Sequence, residues 1–348
     1  MHKNFWQDQL KIHEKLCFLA PMDGYGDSAY RQSMKRVAPH IYCISEFYSA
    51  DGLVHSKFLA DSVLPHQTME DPLIIQIFGK DPEMFARAAK IISDPKYNIA
   101  GIDVNMGCPA KKVVRSGHGS SLIISENTAF DIVKALNDAT HLPISVKTRL
   151  SFDGNQNLIT FAQWLQNAGA SLVTIHGRTA KQAYTWNADF TNIYDLKKNL
   201  DIPVIANGDV MHYDDGMKKV QHLDGFMIGR GSFGNPWCFL WEKHFWEEPW
   251  KDKKIWFQKG IYSPTLFEVL EAMEFHSEQL VATKWERKGS LEIRKHLVQY
   301  LKSFPGVKEY RKRLVTTESI EQTRETLAEI REKFHEELEK RPGFWEIE

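Results

Sequence analysis

Eight short runs rich in Val, Ile and Leu recur along the chain, each ending in polar or glycine-bearing residues and followed by an amphipathic stretch. They are CFLAPM (17–22), IYCISEF (41–47), LIIQIFG (73–79), GIDVNMG (101–107), PISVKTRL (143–150), SLVTIHGR (171–178), IPVIANGD (202–209) and GFMIGRG (225–231). Their starts lie 24, 32, 28, 42, 28, 31 and 23 residues apart. Near-continuous apolar runs at this spacing suit parallel strands covered on both faces and joined by helical crossovers, not hairpins. Helix signals fill the gaps. Asp81-Pro82-Glu83 supplies a cap, a proline for the first turn and an early acid. Ser125-Glu126-Asn127 precedes the periodic AFDIVKAL (129–136), and FAQWLQNAGA (161–170) ends on Gly169 as a stop.

Eight such units in about 230 residues match a (βα)8 TIM barrel. A doubly wound sheet is the rival, and the strand ends discriminate. They carry Met22/Asp23, Glu46, Gln76, Asn105/Cys108, Lys147/Arg149, His176/Arg178, Asn207/Asp209 and Arg230. A barrel gathers those ends into one mouth, where an active site sits, whereas an open sheet spreads them along an edge. Loop polarity explains scattered Asp and Asn, but not a lysine and an arginine two apart inside SVKTRL. The expected architecture is α/β: a barrel over residues 1–246, a linker over 247–262 and an all-helical domain over 263–348.

Composition narrows the class. Hydrophobic residues make up 43% and charged residues 26% of 348, values of an ordinary folded soluble protein. No apolar run approaches the ~20 residues of a membrane span, and the first residues lack the pattern of a secretory signal. The 44 basic and 45 acidic residues balance, so any nucleic-acid contact must come from a local patch. Cys17, Cys43, Cys108 and Cys238 are widely separated and show no metal-ligand spacing. A reducing, cytoplasmic setting without structural zinc is the reading.

The last two runs end in Asn207-Gly208-Asp209 and Gly229-Arg230-Gly231, where barrels commonly hold a phosphate. Residues 229–234 spell GRGSFG, a literal GxGxxG. They follow the eighth run and lead into NPWCFLWEKHFWEEPW rather than another strand, so a Rossmann reading fails. A phosphorylated cofactor ringed by Gln76, Lys147 and His176 suggests a flavin, because a fixed cation stabilises its anionic reduced form. A lysine merely ion-paired to a neighbouring carboxylate is the bland alternative. Cys17 and Cys43 read as small core hydrophobes. Cys108 sits in a Gly-Cys-Pro turn beyond the fourth run, where a protonated thiol can serve as a general acid.

At NMGCPAKKVVRSGHGSSLI (105–123) the residues become specific. This stretch, with APMDGYGD, QIFG, SVKTRL, TIHGRT, IPVIANGDV and MIGRGSFGNPW in order, resembles the tRNA-dihydrouridine synthases. IRKHLVQYLKSFPGVKEYR (293–311) is similar to the helical domain of their bacterial B-type branch. Gly26 stands where bacterial relatives usually carry threonine, and His118 where a small residue is usual, which leaves branch and target uridine open. The resemblance implies FMN-dependent, NADPH-driven reduction of a tRNA uridine, with hydride from flavin N5 to uracil C6 and a proton from Cys108 to C5. By matching positions it implies FMN contacts from Pro21, Met22, Asp23, Gln76, Lys147, His176, Asn207, Gly208, Asp209, Gly229 and Arg230. Asn105 and Arg178 are the implied holders of the uracil, and Lys112 and Arg115 lie on the loop over it. Neither a metal nor a protein partner is implied.

From Lys284 to Arg313 there are ten basic and three acidic residues; from Thr316 onward ten acidic residues face five basic ones. The first segment reads as a tRNA phosphate surface, with Arg294 and Lys295 the residues to test. The second reads as an exposed helix with i,i+4 pairs. Trp237, Trp241 and Phe245, four apart on one helical face, read as a buried seam between barrel and helical domain rather than a surface that stacks on RNA bases. Two other functions fit parts of the pattern: an FMN barrel acting on a free pyrimidine or dihydroorotate-like molecule, and a non-catalytic tRNA-binding protein. The first has no need for the basic appendage, and the second has no use for Cys108 beside Lys147.

Overall fold

A computed structural model describes residues 4–242, 257–258, 260–302, 304 and 306–339. All eight runs form strands: β1 (Leu16–Leu19), β2 (Tyr42–Ser49), β3 (Leu73–Phe78), β4 (Gly101–Asn105), β5 (Ile144–Arg149), β6 (Leu172–His176), β7 (Val204–Asn207) and β8 (Gly225–Ile228). Each pairs in parallel with the next, and β8 pairs with β1 to close the barrel. The seam is tight at Gly225, where a Cβ would stand 2.1 Å from the Leu16 carbonyl oxygen. A short hairpin of β9 (Phe257–Gln258) and β10 (Ile261–Tyr262) follows.

The helices are α1 (Phe5–Ile12), α2 (Ser28–Val37), α3 (Ala50–His55), α4 (Lys57–Val63), α5 (Pro82–Ile92), α6 (Lys111–Arg115) and α7 (Glu126–Ala139). They continue with α8 (Leu158–Ala168), α9 (Thr191–Lys197), α10 (Tyr213–Val220), α11 (Leu266–Lys284), α12 (Glu286–Tyr300), α13 (Lys308–Leu314) and α14 (Ile320–Lys333). The capping signals act as their chemistry dictates. Asp81 accepts from the Glu83 amide at the start of α5, and Gly169 ends α8 at φ +112°.

The chain divides into two compact units that do not follow sequence order. One gathers Met1–Gly26, Ile41–Val210 and Gly216–Gly229; the other Asp27–His40, Met211–Asp215 and Arg230–Glu348. Helix α2 therefore belongs with the C-terminal helices. In the barrel unit Leu16, Phe18, Tyr42, Ile44, Ile74, Leu172, Ile205 and Met227 form an apolar cluster. The N-terminal helix α1 inserts Trp6 into it, 1% exposed and 5.5 Å from the rings of Phe18 and Tyr42.

The second unit is built on the α11–α12 pair, whose start is fixed by a reciprocal cap: Thr265 Oγ1 accepts from the Glu268 amide and Glu268 accepts from that of Thr265. Helix α14 is not the exposed, self-paired helix expected. Ile320, Leu327 and Ile330 bury one face of it, and its charges pair mainly with other helices. Arg324 meets Glu278, Arg331 meets Glu271 and Glu274, Arg313 meets Glu329, and Lys333 meets Glu309. A one-sided apolar stripe has to be covered, and covering it brings the flanking charges to neighbouring helices. The Trp237–Trp241 helical face does not form either. Pro236–Phe239 is a single 3-10 turn and Leu240 is extended, too short to repeat a four-residue spacing. Trp237 is buried, and Trp241 stacks on Tyr213 at 5.2 Å. Phe245 and residues 247–256 of the expected linker lie outside the described residues. Among the described residues no helix is long and apolar enough to cross a membrane.

Candidate active site

Residues two apart on a strand share a face, and in the second half of β3 to β6 that face is polar. Register places Gln76 beside Asp103, Asp103 beside Ser145, Asn105 beside Lys147, and Arg149 beside His176. These groups form a connected network. Ser145 donates to Asp103 Oδ1 at 2.6 Å, and Gln76 Nε2 donates to Asp103 Oδ2 at 2.7 Å. Asn105 Nδ2 donates to Gln76 Oε1 at 2.9 Å. The other end of the Asn105 amide, Oδ1, accepts from the backbone N–H groups of Gly107 (3.2 Å) and Cys108 (3.0 Å). Asn105, expected as a uracil holder, pins the cysteine loop, and its Nδ2 carries a second N–H beyond the bond to Gln76.

The turn carrying Cys108 is held from two further sides. Arg149 Nε donates to the Gly107 carbonyl at 2.7 Å, and the Ser120 amide donates to the Cys108 carbonyl at 3.1 Å. Cys108 is half-buried, while the other three cysteines, all unbridged, are buried. Reading Cys17 and Cys43 as core residues holds; both lie in strands. Beyond the loop, α6 places Lys112 and Arg115 on the surface.

Burial sets the charges. Asp103, fully buried, is pushed up to about 6 by desolvation, against the pull of Ser145, Gln76 and Lys147. Lys147 is pushed down to about 8 by burial and then by Arg149, with Asp103 opposing. The mouth therefore holds a lysine near the neutral range above a carboxylate, a pattern typical of functional sites.

On the next strands, His176 is buried with its ring 6.3 Å from that of Tyr184. Arg178 is 2% exposed and clamps the following loop: Nε donates to the Thr185 and Trp186 carbonyls, and Nη2 to Trp186 and, at 2.6 Å, to Asp209 Oδ2. Asp209 also accepts from the Ala188 amide. Asp209 and Arg178 are thus partners of each other, one expected at the cofactor and the other at the uracil. Arg178 Nη1 is buried without a hydrogen-bond partner. Beside it lies Gly208, at φ +119°, where a Cβ would stand 3.6 Å from Nη1 and 2.6 Å from the Ala188 Cβ. Asn207 Nδ2 donates to the Met227 carbonyl. At the first strand end, Pro21 and Met22 are half-buried and Asp23 is exposed. Gly229 has only ordinary contacts around a Cβ, with Ala20 and Met22.

Arg230 is exposed and opens a helical turn in the second unit. There the ten-cation segment is not one uniform surface. Lys284 is paired with Asp27 and Glu292, and Arg294 donates to the carbonyls of Thr316 and Thr317. Lys295 is half-buried, whereas Arg287, Lys288, Lys302, Lys308 and Lys312 are exposed.

The mouth holds groups that the strand-end pattern does not single out: Asp103, Ser145, Arg149 as a loop anchor, and Tyr184, whose ring lies under the Arg149 guanidinium at 5.6 Å. Alternation in GIDVN and ISVKTR is the signal for the first three, since it puts Asp103 with Asn105, and Ser145 with Lys147 and Arg149.

A closed parallel barrel with a thiol, amides, a lysine and a histidine converging at its strand ends is a TIM-barrel enzyme. The profile of the dihydrouridine synthase (Dus) family matches residues 18–339. A Synechocystis protein named "Probable tRNA-dihydrouridine synthase 1" is 35% identical over 321 residues, covering 91% of this chain and 86% of the relative. "tRNA-dihydrouridine synthase B" of Pseudomonas aeruginosa is 32% identical over 298 residues, covering 84% and 86%. A solved structure of a 2-naphthoyl-CoA reductase is similar at TM-score 0.49 and 12% identity, covering 64% of this chain and 48% of that one. The chain belongs to the dihydrouridine synthase family.

Proposed function

We propose that this protein reduces a uridine of tRNA to 5,6-dihydrouridine, using FMN and NADPH. The observation that carries the reading is Cys108, half-buried and held by Asn105, Arg149 and Ser120 at the mouth that also presents Lys147 and His176.

The residues fit a phosphorylated flavin. The buried, unpartnered Nη1 of Arg178, a residue expected at the uracil, suits an anionic oxygen of the cofactor instead. Pro21, Met22, Gln76, Lys147, His176, Asn207 and Gly208 are the groups assigned to hold the cofactor, with Asp209 orienting Arg178. Bound there, the flavin supplies the hydride for C6 of the pyrimidine. Cys108 holds the proton that C5 requires and delivers it from its fixed turn. Lys147 and the remaining N–H of Asn105 supply positive potential and a donor for the charge that develops on the uracil carbonyls. Because a stacked base cannot enter a barrel mouth, the uridine is extruded from the tRNA. The exposed cations Arg287, Lys288, Lys302, Lys308 and Lys312 of the helical unit are assigned to tRNA phosphates.

The test is product formation from purified protein, NADPH and total tRNA of cells lacking every dihydrouridine synthase. Dihydrouridine at one mapped position is the expected result. Absence of dihydrouridine with NADPH still oxidised contradicts the assigned substrate, and a protein that retains no flavin contradicts the assigned cofactor.

A further inference from the structure

We propose that Asp103 is the positioning residue that fixes the direction of the amide relay holding the Cys108 turn. The argument is one of hydrogen-bond polarity. The Gly107 and Cys108 N–H groups can only donate, so Asn105 must offer them Oδ1. Its Nδ2 then faces Gln76, which must offer Oε1. That leaves Gln76 Nε2 pointing to Asp103, which must accept. Each link is forced by the one before, and the chain ends on a carboxylate that is 0% exposed.

With any group lacking an acceptor at that end, Gln76 Nε2 is left buried without a partner, and the amide keeps only the Asn105 bond to oppose turning over. A flipped Gln76 sets Nε2 against Asn105 Nδ2, and the relief of that clash turns Asn105 and sets its donors against the Gly107 and Cys108 amides. A buried polar chain of this kind is stable in one direction only. The nearby charge is Lys147 on β5, and Ser145 on the same strand occupies the other carboxylate oxygen. An asparagine at 103 can offer its oxygen to Gln76 and its N–H to Ser145, so it keeps the direction while removing the charge. Leucine at 103 has similar bulk and no acceptor. This inference concerns the loop itself and stands whether or not Cys108 serves as the acid in the proposed reaction.

Hydrogen exchange of the purified protein at pH 7, followed in the peptide spanning residues 103–110, reads the Gly107 and Cys108 amides directly. Iodoacetamide alkylation of Cys108 reads the loop independently, because the other three cysteines are buried. Asp103→Leu is expected to speed exchange and alkylation roughly fivefold to tenfold, the scale of one lost buried hydrogen bond. Asp103→Asn is expected to stay within about twofold of the parent. The β6 peptide, outside the relay, reports global loosening and is expected to remain unchanged. Gln76→Leu cuts the relay with Asp103 in place and is expected to loosen the same loop, which keeps the test decisive if Asp103→Leu does not fold. Parent-like exchange in Gln76→Leu or Asp103→Leu overturns the relay. An Asp103→Asn protein as loose as a relay-cut variant overturns its directional basis, assigning the effect to charge.

Discussion

Both units bury polar groups, but on opposite terms. The barrel links them by hydrogen bonds that converge on Asp103, Asn105 donating to Gln76 and both Gln76 and Ser145 donating to Asp103, and keeps ionisable groups at the strand ends. The helical unit packs His276 and His296, 0% and 1% exposed, with ring centroids 4.6 Å apart between Tyr30 and Tyr300. Burial drives both imidazoles toward the neutral form, His276 to about 4 against the opposing pull of Asp27, and His296 further with the help of His276; Lys295 and Lys284 add to both effects. Tyr30 also meets Ser232 at 2.7 Å, so the imidazole pair is packed among aromatic rings with the Asp27–Lys284 ion pair nearby. One arrangement preserves reactivity at a stability cost, while the other gives up charge to gain packing.

The difference has a sign that pH reveals. His276 has a folded pKa below its unfolded value, so the unfolded chain binds the proton first and stability falls as pH drops from about 6.5 towards 4. The expected loss is on the order of 3 kcal/mol, read as faster exchange in α11 and α12 peptides in acid. His276→Gln is expected to remove about half of that slope, His296 supplying the rest, and an unchanged slope contradicts the assignment. Asp103 behaves in reverse. Its folded pKa of about 6 exceeds the unfolded value, so its ionisation costs stability as pH rises from about 4 through 6. Asp103→Asn is therefore expected to stabilise the barrel at pH 7 by about 2–3 kcal/mol in urea unfolding, and destabilisation there contradicts the account.

Smaller effects separate structural from docking cations. Arg294→Ala removes two hydrogen bonds to the Thr316 and Thr317 carbonyls and is expected to cost about 1–2 kcal/mol, with little change in the salt slope of tRNA binding. The exposed pair Lys308→Ala with Lys312→Ala is expected to leave stability within about 0.5 kcal/mol and to lower that slope by about 2. Identical salt slopes in the two variants contradict the division.

The barrel was legible because its strands are near-continuous apolar runs whose polar ends all lie at one rim. Cys108, Gln76, Asn105 and Lys147 were found for the same reason: each stands where a buried strand turns polar. Asp103 and Ser145 are harder to read because they lie one layer deeper, inside runs dominated by Ile and Val, where only period-two alternation marks them. The roles of Arg178 and Asp209 depend on a meeting across 31 residues that no local pattern announces. The grouping of α2 with helices more than 200 residues later, sealed by Asp27 and Lys284, is equally invisible to local reading. In helix α14 a dense charge run masks the few apolar residues, Ile320, Leu327 and Ile330, that bury one of its faces.

The central claim is that Cys108 supplies the proton while the rest of the mouth holds cofactor and base. The most direct test compares Cys108→Ala with the parent for flavin content, NADPH oxidation and dihydrouridine formed in tRNA. The account predicts retained flavin and NADPH oxidation, with dihydrouridine formation lowered by about 10²–10⁴-fold. Dihydrouridine at the parent rate, or loss of flavin on that substitution, would contradict it.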